Sequence, residues 1–310
     1  MAHGHHDHHP DHHHKQQHGH QHGPGQEQRG TDIDWSELAS LLETQAELTA
    51  PVYRQAMAWL AEEAAGPGLI VDAGSGPGVV SCLFAEAFPD ARVLAVDGTE
   101  PLLERARDRA ARQGVADRFD TLAGELPAVL DELTYPADLL WASRSLHHLA
   151  DQRAALTAFA ARLVPGGTLA LLEGGLPSRF LPRDIGIGRP GLQARLDAVQ
   201  EERFTRMRAE LPGSVAERED WPALLTSAGL RHTGTRSFLL DLPAPASDRA
   251  RAHAAATLAR LRDLVADGLD ADDRATLGRL LDPADPESVH RRPDVFVLSA
   301  YTLYTAVRPA

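Results

Sequence analysis

Cysteine occurs once in the 310 residues, at Cys82. One thiol cannot close a disulfide within the chain or build a thiolate metal cluster. Its place in an apolar helical stretch suits a small, buried core side chain. Lysine also occurs once, at Lys15, so nearly all positive charge is arginine, and the formal net charge is −13. Such an acidic balance disfavours nonspecific association with nucleic acid. Long apolar runs are missing too. None reaches the roughly 20 residues of a membrane helix, and the N-terminus lacks the apolar segment of a secretory signal. These deficits predict a soluble, cytoplasmic protein with neither a nucleic-acid nor a membrane partner.

Histidine is abundant, and unevenly so: 11 of the 16 fall in the first 22 residues. Residues 1–30 have no apolar periodicity, so their composition predicts a disordered tail. His5, His6, His8, His9, His12, His13 and His14 are candidate ligands for Zn²⁺ or Ni²⁺. The same density also suits a polar tail whose metal affinity is incidental. The remaining chain is long enough for one large α/β domain with additions. Residues 31–66 predict a helical cap, with Asp34-Trp35-Ser36-Glu37 as a capping box and Pro51 as a break between two helices. Residues 67–310 alternate strand and helix patterns, which predicts a mostly parallel sheet with helices on both faces.

Chemistry concentrates at residues 69–78. Leu69-Ile70-Val71 reads as a buried strand that ends in Asp72. Gly74, Gly76 and Gly78 follow at every second position, and Val79 opens a helix. A strand, a glycine turn and a helix N-terminus let backbone N–H groups approach a nucleotide-type ligand closely. A dinucleotide turn wants its third glycine one residue later, where Val79 stands. Downstream, Arg92–Asp97 reads as a second strand, and its terminal Asp97 can accept both hydroxyls of a ribose. A helix N-terminal acid before Pro101 is the other reading of Asp97.

Asp72-Ala73-Gly74-Ser75-Gly76-Pro77-Gly78 resembles the first motif of class I S-adenosylmethionine (SAM) methyltransferases. Further segments agree in order and spacing. Phe119–Leu126 resembles that family's third strand and exit turn, with Glu125 where an aspartate is commoner. Ser145-Leu146-His147-His148-Leu149, a helix, and then Leu163-Val164-Pro165-Gly166-Gly167-Thr168-Leu169 with a strand ending in Glu173 resemble its small-molecule members. No Asn-Pro-Pro-aromatic motif, of the kind seen in nucleic-acid amino-methyltransferases, is present. The resemblance implies a Rossmann-like α/β sheet, SAM as cofactor and a small-molecule methyl acceptor as partner. It also implies a cofactor site at Asp72, Gly74, Ser75, Gly76, Gly78, Asp97, Gly98, Gly124, Glu125, Leu126 and Ser143.

Methyl transfer needs alignment and exclusion of water more than acid–base chemistry, so a general base is required for only some acceptors. His147, His148 and Glu173 are the catalytic candidates, with packing and helix entry as the alternative role for the histidines. Arg144 could orient an anionic group. Tyr53 and Arg54 either reach the cofactor carboxylate or the substrate, or serve surface and packing roles. Residues 174–219 interrupt the strand–helix rhythm near the carboxyl ends of the strands and read as a lid, and 247–282 read as a helical insertion. The arginines of 174–219 suit an acidic substrate or a solvated helix face. Whether the chain dimerises is open. Two other functions remain in play: an NAD-linked oxidoreductase, and a metal-binding or regulatory protein with a SAM-sensing domain.

Overall fold

The computed structural model describes residues 35–63, 66–265 and 268–310. The candidate metal ligands His5 to His14, and the Asp34 end of the capping box, lie outside the described residues. The first helix, α1 (Trp35–Glu63), leads into β1 (Leu69–Ala73), α2 (Val79–Ala87), β2 (Arg92–Asp97), α3 (Glu100–Arg112) and β3 (Phe119–Ala123). Then come β4 (Ala137–Ser143), α4 (Gln152–Ala161), β5 (Leu163–Leu172), the short β6 (Leu176–Arg179) and α5 (Leu192–Glu210). The chain finishes with α6 (Trp221–Ser227), β7 (Arg231–Leu242), α7 (Asp248–Val265), α8 (Ala271–Leu281) and β8 (Val297–Val307).

The strands form one eight-stranded sheet in the order β3-β2-β1-β4-β5-β8-β6, with β7 on the other side of β8. Strands β1 to β5 run parallel, and β8 lies antiparallel to β5, β6 and β7. The order reverses between β1 and β4. Their carboxyl ends diverge there, and open α/β sheets bind ligands in that crevice. Alternation along the strands feeds two cores. Ile70 and Trp141 join the core under α1, α2, α3 and α7, while Val71 and Leu140 join the one under α4 and α6. Helices therefore cover both faces. Among the described residues, no helix is long and apolar enough to cross a membrane.

Two elements depart from the sequence expectation. Pro51 sits inside α1 without ending it. A mid-helix proline costs about 3 kcal/mol, but Ala50, Val52, Tyr53, Ala56, Met57 and Leu60 are all buried around it. Several buried side chains, each worth roughly 1.5–3 kcal/mol when large, outweigh that local loss. The segment after β5 also begins as sheet. Leu176 and Arg179 pair with Ala300 and Leu298, so β6 prolongs the edge that β5 makes with β8.

Candidate active site

The glycine turn is laced to β2. Gly74 and Ser75 N–H groups both donate to the Val96 carbonyl, at 2.8 and 3.0 Å. Gly74, Gly76 and Gly78 have φ of +83°, +53° and +72°, a region that side chains with a Cβ adopt at a cost. Gly78 also marks a close approach: a Cβ there would stand 2.5 Å from Ala106 Cβ of α3. In front of Gly76 there is open space.

Asp97 closes this cradle. Its Oδ2 accepts the Gly76 N–H and its Oδ1 the Thr99 N–H, each at 2.9 Å. A carboxylate has about four acceptor positions, so each oxygen keeps one for a ligand hydroxyl. Glu125 comes to the same corner: a Cβ on Gly98 would meet its Oε1 at 2.7 Å. Leu126 is half-buried and lines the far side of Gly74. Gly124 is instead packed against Val129. Below the turn, Asp72 is 2% exposed and accepts the Ser81 hydroxyl at 2.5 Å. Burial pushes its carboxyl up to about 7, with the Ser81 bond pulling down and the Asp97 charge pushing up. The Ser75 hydroxyl is buried and has no partner among the described residues. Ser81 was not singled out from the sequence; its signal is one polar side chain in the apolar first turn of α2.

The second half of the site lies beyond β4. Leu146–His148 form a single 3-10 turn. Buried Glu173 organises it: Oε1 accepts the Leu146 N–H at 2.9 Å, and Oε2 lies 2.8 Å from His147 Nδ1. With Nδ1–H donated to Glu173, His147 Nε2 becomes the acceptor nitrogen. The His148 ring packs 4.0 Å from that of His147. Its edge meets solvent, yet desolvation, then the charges of His147, Arg144 and Arg208, push its imidazole down to about 4. An imidazole so depressed is a weak base at neutral pH, so the geometry favours His147. Helix α5 is seated on this turn. Phe204 lies 5.7 Å from the His147 ring, and Arg208 Nη1 donates to the carbonyls of His147 and Leu149 at 2.5 and 2.9 Å.

Tyr53 and Ser143 meet behind this turn. Tyr53 is 6% exposed and packs edge-on to Trp141, with ring centroids 6.5 Å apart. Burial pushes its hydroxyl up to about 12, while the Arg144 charge and a hydrogen bond with Ser143 pull the other way. Arg54 points elsewhere and pairs with Glu86 at 3.5 Å. Arg179, Arg189 and Arg195 are committed to structure, Arg179 to Asp197 and the other two to Asp273. Cys82 is buried, and burial pushes its thiol up to about 12. Among the described residues, no cluster of three or more histidine, cysteine or acidic side chains could hold a metal ion.

Several known proteins resemble this chain in sequence or fold. A family model described as a methyltransferase domain matches residues 70–167. A trans-aconitate 2-methyltransferase from Methylobacterium nodulans is 32% identical over 232 residues, covering 66% of this chain and 82% of the relative. Its counterpart from Streptomyces coelicolor is 34% identical over 129 residues, covering 40% of this chain and 42% of the relative. An O-methyltransferase family protein from Burkholderia thailandensis superposes with a TM-score of 0.51 at 13% identity, covering 89% of this chain and 60% of that one. That last likeness shows shared fold.

Proposed function

Since the chain belongs to the class I SAM-dependent methyltransferases, we propose that it moves the methyl group of SAM to an oxygen, nitrogen or carbon of a small molecule bound beside His147. The residues present fit that donor. Ser75 offers a buried hydroxyl without a partner, Asp97 keeps one acceptor position on each oxygen, and Gly76 faces open space. Asp72 and the Ser75 hydroxyl would take the amino-acid end, Asp97 the ribose, and Gly98, Glu125 and Leu126 the adenine side. Bound SAM supplies a methyl group already activated on a positive sulfonium, so the protein's task is alignment. Helix α5 acts as a lid on the acceptor side, where Phe204 excludes water from the His147 corner. His147, oriented by Glu173, takes a proton when the acceptor is a hydroxyl or an amine, and is idle when the acceptor is a carboxylate.

The relative named for trans-aconitate makes that acid the first acceptor to assay. The observation that carries the cofactor reading is the Asp97 carboxylate, which ties strand end to glycine turn while keeping acceptor capacity free. Calorimetric titration with SAM, S-adenosylhomocysteine and NAD tests it. The expected result is binding of both SAM species, none of NAD, and at least tenfold weaker binding in Asp97→Asn. Retention of NAD without SAM would overturn the proposal in favour of a dehydrogenase. The N-terminal histidines are assigned no part in turnover: deleting residues 1–30 should abolish retention on immobilised Ni²⁺ and leave kcat unchanged. Lost turnover in that variant would count for a regulatory tail.

A further inference from the structure

We infer that Arg144 is the anchoring residue for a carboxylate of the methyl acceptor, with Tyr53 and His253 as neutral donors beside it, so that the acceptor is an acid bearing a carboxylate besides the atom that is methylated. The inference rests on the methyltransferase reading of this same site.

Backbone geometry singles out Arg144. It is the one non-glycine residue with positive φ among the described residues, at +53°. That conformation is strained for such a side chain and persists only where the surroundings impose it. Here the Arg144 N–H is held by the Leu172 carbonyl at 3.0 Å, directly beyond the end of β4. The chain thus accepts strain to turn this residue out at the carboxyl end of the switch-point strand, between Ser143 and the 3-10 turn of His147.

Its charge is uncommitted. Neighbouring arginines are neutralised or bonded: Arg54 by Glu86, Arg179 by Asp197, Arg208 by two carbonyls. The exposed guanidinium of Arg144 makes no ion pair and no hydrogen bond among the described residues. The Arg144 charge bears on Tyr53, His148 and His253, and all three remain neutral near pH 7. His253, from α7, is 6% exposed, packs edge-on to Phe180 at 5.8 Å, and leaves its Nδ1 buried with no partner among the described residues. A buried polar nitrogen without a partner is destabilising, a penalty that a ligand oxygen would relieve.

A guanidinium presents paired N–H donors that match the two oxygens of a carboxylate. One cation with two neutral donors balances a single negative charge. A phosphate dianion would leave excess charge in a site that also contains Glu173 and Asp72. Carboxylate is therefore the better match.

The test uses the full chain saturated with S-adenosylhomocysteine, titrated with trans-aconitate, citrate and inorganic phosphate. Wild type should bind at least one of the acids more tightly than phosphate. Arg144→Gln should weaken that binding at least tenfold, and Arg144→Lys should restore part of it, while the affinity for S-adenosylhomocysteine stays within twofold. In turnover, Arg144→Gln should raise KM far more than it lowers kcat, and His253→Phe should raise KM severalfold. If S-adenosylhomocysteine binds but no acid does, or if Arg144→Gln leaves acid binding intact, the inference fails and the cofactor reading stands. If S-adenosylhomocysteine itself does not bind, both fall.

Discussion

In the proposed SAM site, Asp72 should couple cofactor binding to pH. Its carboxyl lies near 7 in the folded chain because of burial, against an ordinary value near 4. The folded state therefore holds a proton that the unfolded state has released between about pH 4 and 7. Stability from this group is present at low pH and is lost as pH rises through 7. A cationic ligand group beside Asp72 favours the ionised form, so SAM affinity should rise between pH 6 and 8, by at most about tenfold per unit. Calorimetry across that range checks it, and Asp72→Asn should flatten the curve. The glycines separate by what faces them. Gly78→Ala would combine positive φ with overlap on Ala106 and should cost about 2–4 kcal/mol in denaturant unfolding. Gly76→Ala meets open space, so it should cost only about 1 kcal/mol of stability yet weaken SAM binding strongly. The glycine spacing and Asp97 were legible in the sequence because a turn is local. Ser81, Arg208 and His253 were not, since each acquires meaning only from residues brought near by the fold.

At the level of elements, rules of local propensity succeeded where local forces decide. Asp151 caps α4 through Ala154, and Asp220 caps α6 through Ala223, both side chains standing where a helix entry needs an acceptor. Pro51 shows the limit, because tertiary burial carries α1 through a residue that breaks isolated helices. The arginine-rich stretch shows another. Charge counting favoured a solvated face over an acidic substrate, whereas Arg195 makes a two-pronged contact with buried Asp273 that fastens α5 to α8. Helix α5 is thus held at one end by α8 and at the other by Arg208 on the His147 turn. Arg208→Ala removes the second hold alone. It should raise the acceptor KM several-fold and leave SAM affinity within twofold, with a shift of melting temperature under a few degrees. A loss of SAM binding equal to the loss of acceptor binding would contradict a role confined to the acceptor side.

Across the whole molecule, the additions to the α/β sheet share its core. Ala254 and Leu258 of α7 and Leu277 and Leu280 of α8 belong to the same buried cluster as Ile70, Phe84 and Trp141 of the central strands and α2. The segment between β7 and β8 therefore covers apolar surface on the extended end of the sheet, where Phe238, Leu240, Val297 and Tyr301 are buried. From sequence alone its two helices could be placed, but not what they cover, because their partners are separated from them along the chain. A shared core has a thermodynamic consequence. Sheet and additions cannot unfold separately without exposing each other's apolar faces, so heating should give one cooperative transition with equal calorimetric and van't Hoff enthalpies. A ligand that binds only the folded form at 100 times its Kd adds about 2.7 kcal/mol, or roughly 5 °C in a domain of this size. Saturating S-adenosylhomocysteine should move that single transition upward as a whole. Two resolved transitions, of which only one responds to the ligand, would show that α7 and α8 fold as an independent unit and that the acceptor side is not thermodynamically coupled to the glycine turn.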